Sequence, residues 1–319
     1  MAMKLDFSKR KAIQMGVASV AVATAGFLVR DNTLDSGVEM RPVFLNNDDT
    51  ANNNDDTENN EVVLKTEDEP AAIVHAESES AVKDNLNKTV NFDNTFLEDI
   101  FLPQEKINVF QSALKRIMRV QKTIGYANFN LVSFDNMILY AHRYPKIGKF
   151  TKAEIALIDE LFFFDANEYG FYGNKVIQNL TSEINKKETI KISGSGHYLF
   201  QGDALSKFNQ LKKDVGPGLV LTSGVRSVVK QLQLFLAKLD ASNGNLSMAS
   251  RSLAPPGHSY HGIGDFDVGK KGFGKFNFTS KFASTDEYKK LIELKYIDLR
   301  YTQNNQIGVR YEPWHIKVV

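Results

Sequence analysis

Apolar residues recur at helical spacing over two stretches in the middle of the chain. The first stretch reads EKINVFQSALKRIMRVQKTIGYANF, and its apolar positions are Ile107, Phe110, Leu114, Ile117, Met118 and Val120. The second stretch reads TKAEIALIDELFFFDANEYG and opens with Thr151 and Glu154, which have the spacing of a capping box. The two stretches predict a helical subdomain over residues 95–185. We expect the aromatic run Phe162, Phe163 and Phe164 to lie in its core.

From about residue 190 the pattern changes to short strands and turns. GLVLTSGVRS predicts a strand, Leu219 to Thr222, that ends in a Ser-Gly turn, and VVKQLQLFLAKLDA predicts a helix. APPGHSYHGIGDFDVG predicts a loop followed by a strand, and TDEYKKLIELKYIDLRY predicts a helix that leads into a strand. IGVRYEPWHIKVV predicts a C-terminal strand. Residues 186–319 are therefore expected to form an α+β domain, a small antiparallel sheet with flanking helices.

The first 29 residues have the layout of an export signal. Lys9, Arg10 and Lys11 form a basic start, and an uncharged apolar run follows from about Ala12 to Val29. The segment SKRKAIQ resembles a twin-arginine signal in which Lys9 replaces the first arginine. Because the run is close to the ~18 residues that can span a bilayer, an uncleaved membrane anchor is the alternative. Either reading predicts export, by a Tat-like or a Sec route, to the periplasm or the cell envelope.

Residues 30–94 have the composition of a disordered acidic linker. The run NNDDTANNNDDTENNE has no apolar periodicity and cannot bury enough surface to offset the entropy lost on ordering. Residues 31–100 hold 18 acidic and 4 basic residues, whereas residues 101–319 hold 19 acidic and 30 basic ones. Such a basic body suits an anionic partner such as a cell-wall polymer. Nucleic acid is not expected, because the basic residues form no recognisable binding module with aromatics.

One short segment concentrates residues that can bind a metal ion. GHSYHGIGDFDVG, from Gly257 to Gly269, holds His258, His261, Asp265 and Asp267. In an extended strand Asp265 and Asp267 lie on the same face. A histidine at the end of the loop and an aspartate in the strand can therefore converge on one cation, and both are normal zinc ligands. The chain has no cysteine, which excludes thiolate ligands and disulfides.

The C-terminal segment EPWH supplies a second candidate half of this site. Glu312 and His315 lie on opposite faces of a flat strand, but Pro313 breaks ladder pairing and permits a bulge there. A histidine ligand beside a glutamate that is not a ligand is what a zinc hydrolase requires, because the glutamate can take a proton from water. We expect the single tryptophan, Trp314, to be a core residue.

A third segment, TSGVRSVVKQ, places Arg226 just after a predicted strand. Arginine offers a planar set of donors to a carboxylate or an oxyanion. The three segments together resemble the LAS metallopeptidases, the group that includes lysostaphin and the hedgehog signalling domain. Within that group they resemble the VanY-type D-alanyl-D-alanine carboxypeptidases. That family carries Ser-Gly-x-Arg-Ser, then Ser-x-His-x-x-Gly-x-Ala-x-Asp, then Glu-x-Trp-His, and the resemblance covers about residues 190–319.

The resemblance implies a role for several residues. His261 and His315 would be Zn²⁺ ligands, and Glu312 would be the general base. Arg226 would hold the substrate or its oxyanion, and Gln231, in the following helix, would help to bind the peptide. The domain would have the LAS fold, and its substrates would be peptidoglycan peptides.

The chain departs from the family pattern at the third ligand. In the family the aspartate follows the histidine by seven positions, but the seventh position after His261 is Val268. Asp267 keeps the apolar residue that follows the ligand, so it is the preferred third ligand. Asp265 is the alternative.

Other polar residues near the motifs have weaker support. Ser259 is expected to bind substrate or to fix a ligand from behind, and His258 is expected on the substrate side or behind a ligand. His75, His142 and His197 have no motif support. His197, in GSGHYLF, could border the site, but a structural role is expected for it.

These observations predict an exported zinc D-alanyl-D-alanine carboxypeptidase that trims peptidoglycan stem peptides, and a monomer. One alternative is an endopeptidase that cuts wall cross-links with the same zinc site. The other is a wall-binding module that has lost activity because its motif is one residue short. The presence of Glu312 argues against the last alternative, since a structural zinc site needs no base.

Overall fold

The computed structural model describes residues 79–319 of the chain. The predicted export signal, His75 and most of the predicted linker lie outside the described residues. No helix within residues 79–319 is long and apolar enough to cross a membrane.

Helices make up about half of the described chain, and short antiparallel sheets accompany them. The α-helices are α1 (Glu79–Val90), α2 (Ile107–Ile124), α3 (Tyr126–Phe129), α4 (Phe134–Arg143), α5 (Lys152–Phe163), α6 (Asp203–Val215), α7 (Val228–Ala241), α8 (Leu246–Ser252) and α9 (Asp286–Glu293). The strands are β1 (Thr189–Lys191), β2 (Tyr198–Phe200), β3 (Leu219–Ser223), β4 (Phe266–Lys270) and β5 (His315–Ile316). The predicted α+β class is confirmed.

The predicted helices α2 and α5 are present, and they pack against each other. Thr151 and Glu154 form the capping box at the start of α5, with both reciprocal hydrogen bonds present. The Glu154 carboxylate also accepts hydrogen bonds from Ser112 and Arg116 of α2. This buried ion pair joins the two helices.

The aromatic run of α5 is only partly in the core. Phe162 is 1% exposed, but Phe163 is 58% exposed, so the prediction that all three phenylalanines are buried is wrong for Phe163. Phe164 is partly buried. The cause is geometric: consecutive residues point in directions about 100° apart on a helix, so a run of three cannot share one buried face. For the same reason Met118 of α2 lies exposed beside the buried Ile117.

Helix α1 lies within the segment for which the sequence predicts no structure. Residues 79–90 form this helix, so the predicted disordered linker of residues 30–94 is wrong for them. The Asn85 side chain donates a hydrogen bond to the carbonyl of Gln306, 221 residues away. Tertiary contacts of this kind stabilise a helix that its own weak apolar pattern does not reveal.

The metal-binding motifs lie on a three-stranded antiparallel sheet with the order β3-β4-β5. Residues Leu219–Ser223 of β3 match the predicted strand, and the pairing with β4 shifts register between Leu221 and Ser223. In β4 both faces are covered, because Phe266 to Gly269 are all buried. In the pairing of β4 with β5, Asp267 lies directly opposite His315.

The C-terminal strand is much shorter than predicted. Only His315 and Ile316 form β5, and the preceding residues, including Pro313, run as loop and turn. Proline cannot donate to a ladder hydrogen bond, which agrees with strand pairing that begins only after it. The strand predicted after α9 is reduced to a single bridge between Leu299 and Ile316.

Within residues 79–319, two clusters of buried apolar side chains form the core. The larger one joins helices α2, α4 and α5 with α7 and α8, so it contains residues from both sides of the predicted boundary at residue 185. The smaller one lies around the three-stranded sheet with α6 and α9, and includes Phe266, Trp314 and Ile316. Trp314 is a core residue, as expected. Helix α7 faces the larger cluster while its N-terminus carries residues of the candidate site.

Candidate active site

Three buried side chains converge at the centre of the small sheet. Each of these residues, His261, Asp267 and His315, has one potential ligand atom, and the three atoms lie within 4.8 Å of one another. Asp267 Oδ1 lies 3.2 Å from His261 Nε2 and 3.4 Å from His315 Nδ1. The three residues are at most 3% exposed. The structure thus brings together the two predicted histidines and the preferred aspartate.

The backbone accounts for this convergence. Asp267 lies in the middle of the central strand β4, and antiparallel pairing places His315 of β5 opposite it. His261 lies on a short 3-10 turn, Tyr260–Gly262, that leads into β4. The carbonyl of His261 accepts a hydrogen bond from the backbone N–H of Arg226, which ties this turn to the loop after β3.

Hydrogen bonds behind the two histidines fix which ring nitrogen faces the cluster. His261 Nδ1 donates to the carbonyl oxygen of Gly224 at 2.8 Å, so its Nε2 is left to face Asp267. His315 presents the opposite nitrogen. Its Nε2 donates to Asp265 Oδ2 at 3.0 Å, and its Nδ1 faces Asp267. In its neutral form each histidine therefore offers one nitrogen lone pair to the same point, and a cation bound there replaces the proton that His315 Nδ1 otherwise carries.

The donor set fits Zn²⁺. Two imidazole nitrogens and one carboxylate oxygen leave the fourth position of a tetrahedron for water or substrate, which is typical of catalytic zinc sites. Ligands about 2.0–2.1 Å from zinc in a tetrahedron lie roughly 3.3 Å apart. The distances from Asp267 Oδ1 to the two ring nitrogens, 3.2 and 3.4 Å, match that edge length. The predicted cofactor, Zn²⁺, agrees with this geometry.

Burial and neighbouring charges shift the pKa values of the metal-free cluster. Burial and the Arg226 guanidinium lower the pKa of His261 to about 4. Burial also lowers the pKa of His315, but hydrogen bonds to two carboxylates outweigh it and raise that pKa to about 9. Burial raises the pKa of Asp267, yet His261 and Arg226 hold it well below its usual range. The aspartate is therefore ionised at neutral pH, which is the state a metal ligand needs.

Glu312 lies at the edge of the cluster. Its Oε2 is 3.3 Å from His315 Nδ1, and the residue is 7% exposed. Its backbone N–H donates to the carbonyl of Tyr301, whose ring packs edge-on against His315 at 4.9 Å. Tyr301 was not among the predicted site residues, and no motif marks it. The carboxylate is next to the three converging atoms but outside the group that they form.

Arg226 lies on the other side of Asp267 and is held by three side chains. It donates to Asp267 Oδ2 at 2.7 Å, to Ser223 Oγ at 3.0 Å and to Gln231 Oε1 at 3.4 Å. These bonds use three of its five N–H groups, which leaves two for a ligand. Gln231, predicted to bind the peptide, is 2% exposed and its amide also donates to the carbonyl of Ala254. The structure therefore places Gln231 behind Arg226 as its support.

The pKa values of two further side chains, Lys230 and His197, respond to the charge of Arg226, and sequence reasoning did not assign these residues to the site. Lys230, in the first turn of α7, donates to Gln233 Oε1 at 2.8 Å and has no carboxylate partner within residues 79–319. Burial, with the Arg226 charge, lowers the pKa of Lys230 to about 8. Burial, with Arg226 again, also lowers the pKa of His197. The charge of Asp267 acts on the pKa of His197 in the opposite direction.

The remaining predicted residues lie around the site but not in the cluster. Asp265 is on the far side of the His315 ring, where Arg300 pairs with it at 2.7 Å. His258 Nδ1 contacts the carbonyl of Gly173 at 3.1 Å, and its ring packs on Phe171. It therefore anchors the loop before β1. Ser259 is buried and lies two residues before His261. His142 is an exposed residue of α4.

The segment that carries the three converging side chains is also the segment that matches a known family. Residues 201–319 match the family model described as VanY, D-alanyl-D-alanine carboxypeptidase. This match confirms, over those residues, the resemblance to VanY-type carboxypeptidases that the motifs indicate. No curated protein sequence matches the chain.

Several solved structures are similar in part. The LdcB LD-carboxypeptidase, in a structure that reveals the molecular basis of peptidoglycan recognition, is 25% identical with a TM-score of 0.33, over 41% of this chain and 63% of its own. VanYB in complex with D-alanine-D-alanine is 20% identical with a TM-score of 0.34, over 47% of this chain and 86% of its own. A mutant of the vancomycin resistance D,D-pentapeptidase VanY in complex with Zn(II) is 21% identical with a TM-score of 0.31, over 46% and 87%. This chain thus spans less than two thirds of the LdcB chain.

Proposed function

We propose that the chain is an exported zinc-dependent D-alanyl-D-alanine carboxypeptidase that trims peptidoglycan stem peptides. The observation that supports this most is the buried group of His261, Asp267 and His315 with Glu312 at its edge. A structural zinc site is closed by four protein ligands and needs no base. Three ligands with an adjacent carboxylate are the arrangement of a hydrolytic site, which speaks against the inactive wall-binding module.

Each residue of the cluster has a role in this proposal. His261 Nε2, Asp267 Oδ1 and His315 Nδ1 hold the metal. Bound zinc supplies a Lewis acid for the scissile carbonyl and lowers the pKa of water into the neutral range. Glu312 takes a proton from the attacking water and delivers it to the leaving amine of D-alanine. The hydrolysis consumes one water molecule and converts the amide into a carboxylate and a free amine.

Arg226 is placed to hold the substrate while the bond is cut. Two of its five N–H groups remain for the substrate, and a guanidinium fixed by three side chains loses little entropy when it binds an anion. The hydrogen bond from Arg226 to Asp267 Oδ2 also orients the aspartate, so that its other oxygen, Oδ1, is directed at the metal.

The uncompensated charge of Lys230 favours a carboxypeptidase over an endopeptidase. A half-buried ammonium beside Arg226, with no carboxylate partner among the described residues, is costly unless a ligand supplies the anion. The free carboxylate of a terminal D-alanine has that charge. An internal cross-link presents a neutral amide at the same place and gains nothing from a second cation.

The proposed reaction is tested by incubating pentapeptide muropeptides with the full chain and zinc, followed by mass spectrometry. The wild type is expected to remove one alanine, and Glu312→Gln, which keeps the size of the side chain, is expected to remove none at a matched zinc occupancy. Survival of the pentapeptide with the zinc-loaded wild type contradicts the carboxypeptidase. Cleavage of cross-linked dimers in the same assay would indicate the endopeptidase.

The preference for a free carboxylate is tested with two matched peptides, one ending in D-alanine and one in D-alanine amide. We expect the wild type to prefer the acid by at least about tenfold in kcat/KM, the equivalent of ~1.4 kcal/mol. Lys230→Met should lose most of that preference through a higher KM for the acid alone, and Lys230→Arg should keep it. An equal loss on both peptides would contradict a role in recognising the carboxylate.

Export to the cell envelope and tethering by the acidic segment complete the proposal. The basic body suits an anionic wall polymer, and the segment before it has the composition of an extended tether. Fractionation of cells that produce the full chain, beside a variant with Lys9, Arg10 and Lys11 changed to glutamine, tests the export. Retention of the variant, but not of the wild type, in the cytoplasm is the expected result.

A further inference from the structure

Asp265 has the most completely satisfied carboxylate near the site. Its Oδ2 accepts from His315 Nε2 at 3.0 Å and from Arg300 Nε at 2.7 Å. Its Oδ1 accepts from a second Arg300 nitrogen at 3.1 Å and from the backbone N–H groups of Val318 and Val319 at 2.8 and 3.4 Å. The side chain is fully buried. Five donors around one carboxylate define its orientation.

This orientation determines which tautomer His315 adopts. The ionised Asp265 can only accept a hydrogen bond, so the proton of the neutral imidazole must be on Nε2. Nδ1 is then the nitrogen with the lone pair, and Nδ1 is the atom that lies 3.4 Å from Asp267 Oδ1. A proton on Nδ1 would point into the cluster and prevent His315 from binding a cation there.

We infer that Asp265 is the positioning residue of the metal site: it holds His315 in the tautomer and orientation that binds zinc, and it ties the last residues of the chain to the site. It is therefore not a ligand itself. Carboxylates in this position behind a zinc-bound histidine increase metal affinity, and their removal costs typically 10–100-fold.

Arg300 completes the arrangement. Its guanidinium stacks on the ring of Tyr260 at 3.5 Å, next to His261, and it also donates to the carbonyl of Val319. The pair formed by Asp265 and Arg300 therefore connects three segments: the turn that carries the first histidine, the start of β4 and the C-terminus. Each of the three contributes to the position of a candidate ligand.

The test is Asp265→Asn, because the amide has the shape of the carboxylate but can place a donor, where the carboxylate had an acceptor, opposite His315 Nε2. An asparagine has a single acceptor oxygen, and three donors favour that oxygen at the Oδ1 position. Its NH2 group then faces His315 Nε2 and can only donate. That contact favours the tautomer with the proton on Nδ1. We expect the zinc dissociation constant, measured on the full chain by competition with a chromophoric chelator, to rise 10–100-fold.

The matched control is Asp99→Asn. Asp99 is also buried, pairs with both terminal nitrogens of Arg251 and accepts from Asn245, but it contacts none of the site residues. The Asp99→Asn substitution should lower the free energy of unfolding without changing the zinc affinity. A change of less than about threefold in zinc affinity for a folded Asp265→Asn overturns the inference.

A measurement on the wild type decides the case in which the variant does not fold. ¹⁵N NMR of the zinc-loaded full chain is expected to show His315 with a protonated Nε2 and a metal-bound Nδ1. The opposite assignment overturns the inference. The inference rests on the proposed metal site, and the two fail differently: a wild type that binds no zinc overturns both, whereas a zinc-binding wild type with an unaffected variant overturns only the role of Asp265.

Discussion

Gly224 occupies a point where the backbone of the site leaves no room for a side chain. A Cβ at this position would overlap the carbonyl oxygen of Tyr198 and lie 3.0 Å from its carbonyl carbon and 3.3 Å from Leu199 Cδ2. The same Tyr198 oxygen accepts the backbone N–H of Val225 at 2.8 Å. The carbonyl of Gly224 itself accepts from His261 Nδ1. We therefore predict that Gly224→Ala damages both stability and zinc binding.

The magnitude follows from what must move. Backbone cannot rotate aside as a side chain can, so the loop after β3 must move away from Tyr198 of β2. Overpacking of this kind costs about 1–3 kcal/mol, and weakening the Val225–Tyr198 hydrogen bond adds about 1 kcal/mol. The expected loss of unfolding free energy is therefore about 2–4 kcal/mol. Displacing the carbonyl that orients His261 should weaken zinc binding by at least about tenfold.

Gly218→Ala is the matched control. A Cβ there meets only the end of the Glu287 side chain, which can swing away. Urea unfolding of the zinc-free full chain gives the stability of both variants, and chelator competition gives their zinc affinities. The control should stay within about 0.5 kcal/mol of the wild type. If Gly224→Ala is no less stable than the control and binds zinc equally well, the close approach to Tyr198 does not exist in solution.

Three further predictions concern charge and packing. Burial and Arg226 lower the pKa of Lys230 to about 8, so Lys230 loses its positive charge as the pH rises through 8. In a pH titration, KM for the peptide that ends in D-alanine should rise there, and KM for the peptide that ends in D-alanine amide should stay level. Phe162→Ala should cost about 3–5 kcal/mol in urea unfolding and Phe163→Ala less than about 1 kcal/mol, since only the first is buried; equal losses would contradict this. Glu154→Gln leaves the largely buried Arg116 without a counter-charge and should cost about 3 kcal/mol, whereas a loss below about 1 kcal/mol would show that the pair is not formed.

Much of the fold could be predicted because its signals are local. The helical spacing in α2, the capping box of Thr151 and Glu154 and the apolar run of β3 each depend on a few neighbouring residues. Helix α1 could not be predicted from its sequence, because contacts such as the one from Asn85 to Gln306 join residues far apart in the chain. The length of β5 depends in the same way on its partner strand and on Pro313.

In the candidate site, too, some features could be predicted from local sequence patterns and others depend on contacts between distant segments. The motifs indicate which residue types converge, and the structure brings His261, Asp267 and His315 together. No spacing rule identifies Lys230 as a neighbour of Arg226, because its side chain is placed by the packing of α7. Nor could the sequence choose between the two aspartates from their positions in a strand. Both contact His315, but they do so through opposite nitrogens of its ring.

The strand register explains how a motif one residue short can still bring the three candidate ligands together. The position of Asp267 is set by its pairing with His315 across β4 and β5, not by the length of the loop that begins at His261. The bulge between Leu221 and Ser223 lets the neighbouring strand follow this register. A shorter loop then changes only how His261 approaches, and the hydrogen bond to Gly224 fixes that approach. Because the sheet carries two of the three candidate ligands and the loop after β3 orients the third, the geometry survives the deletion.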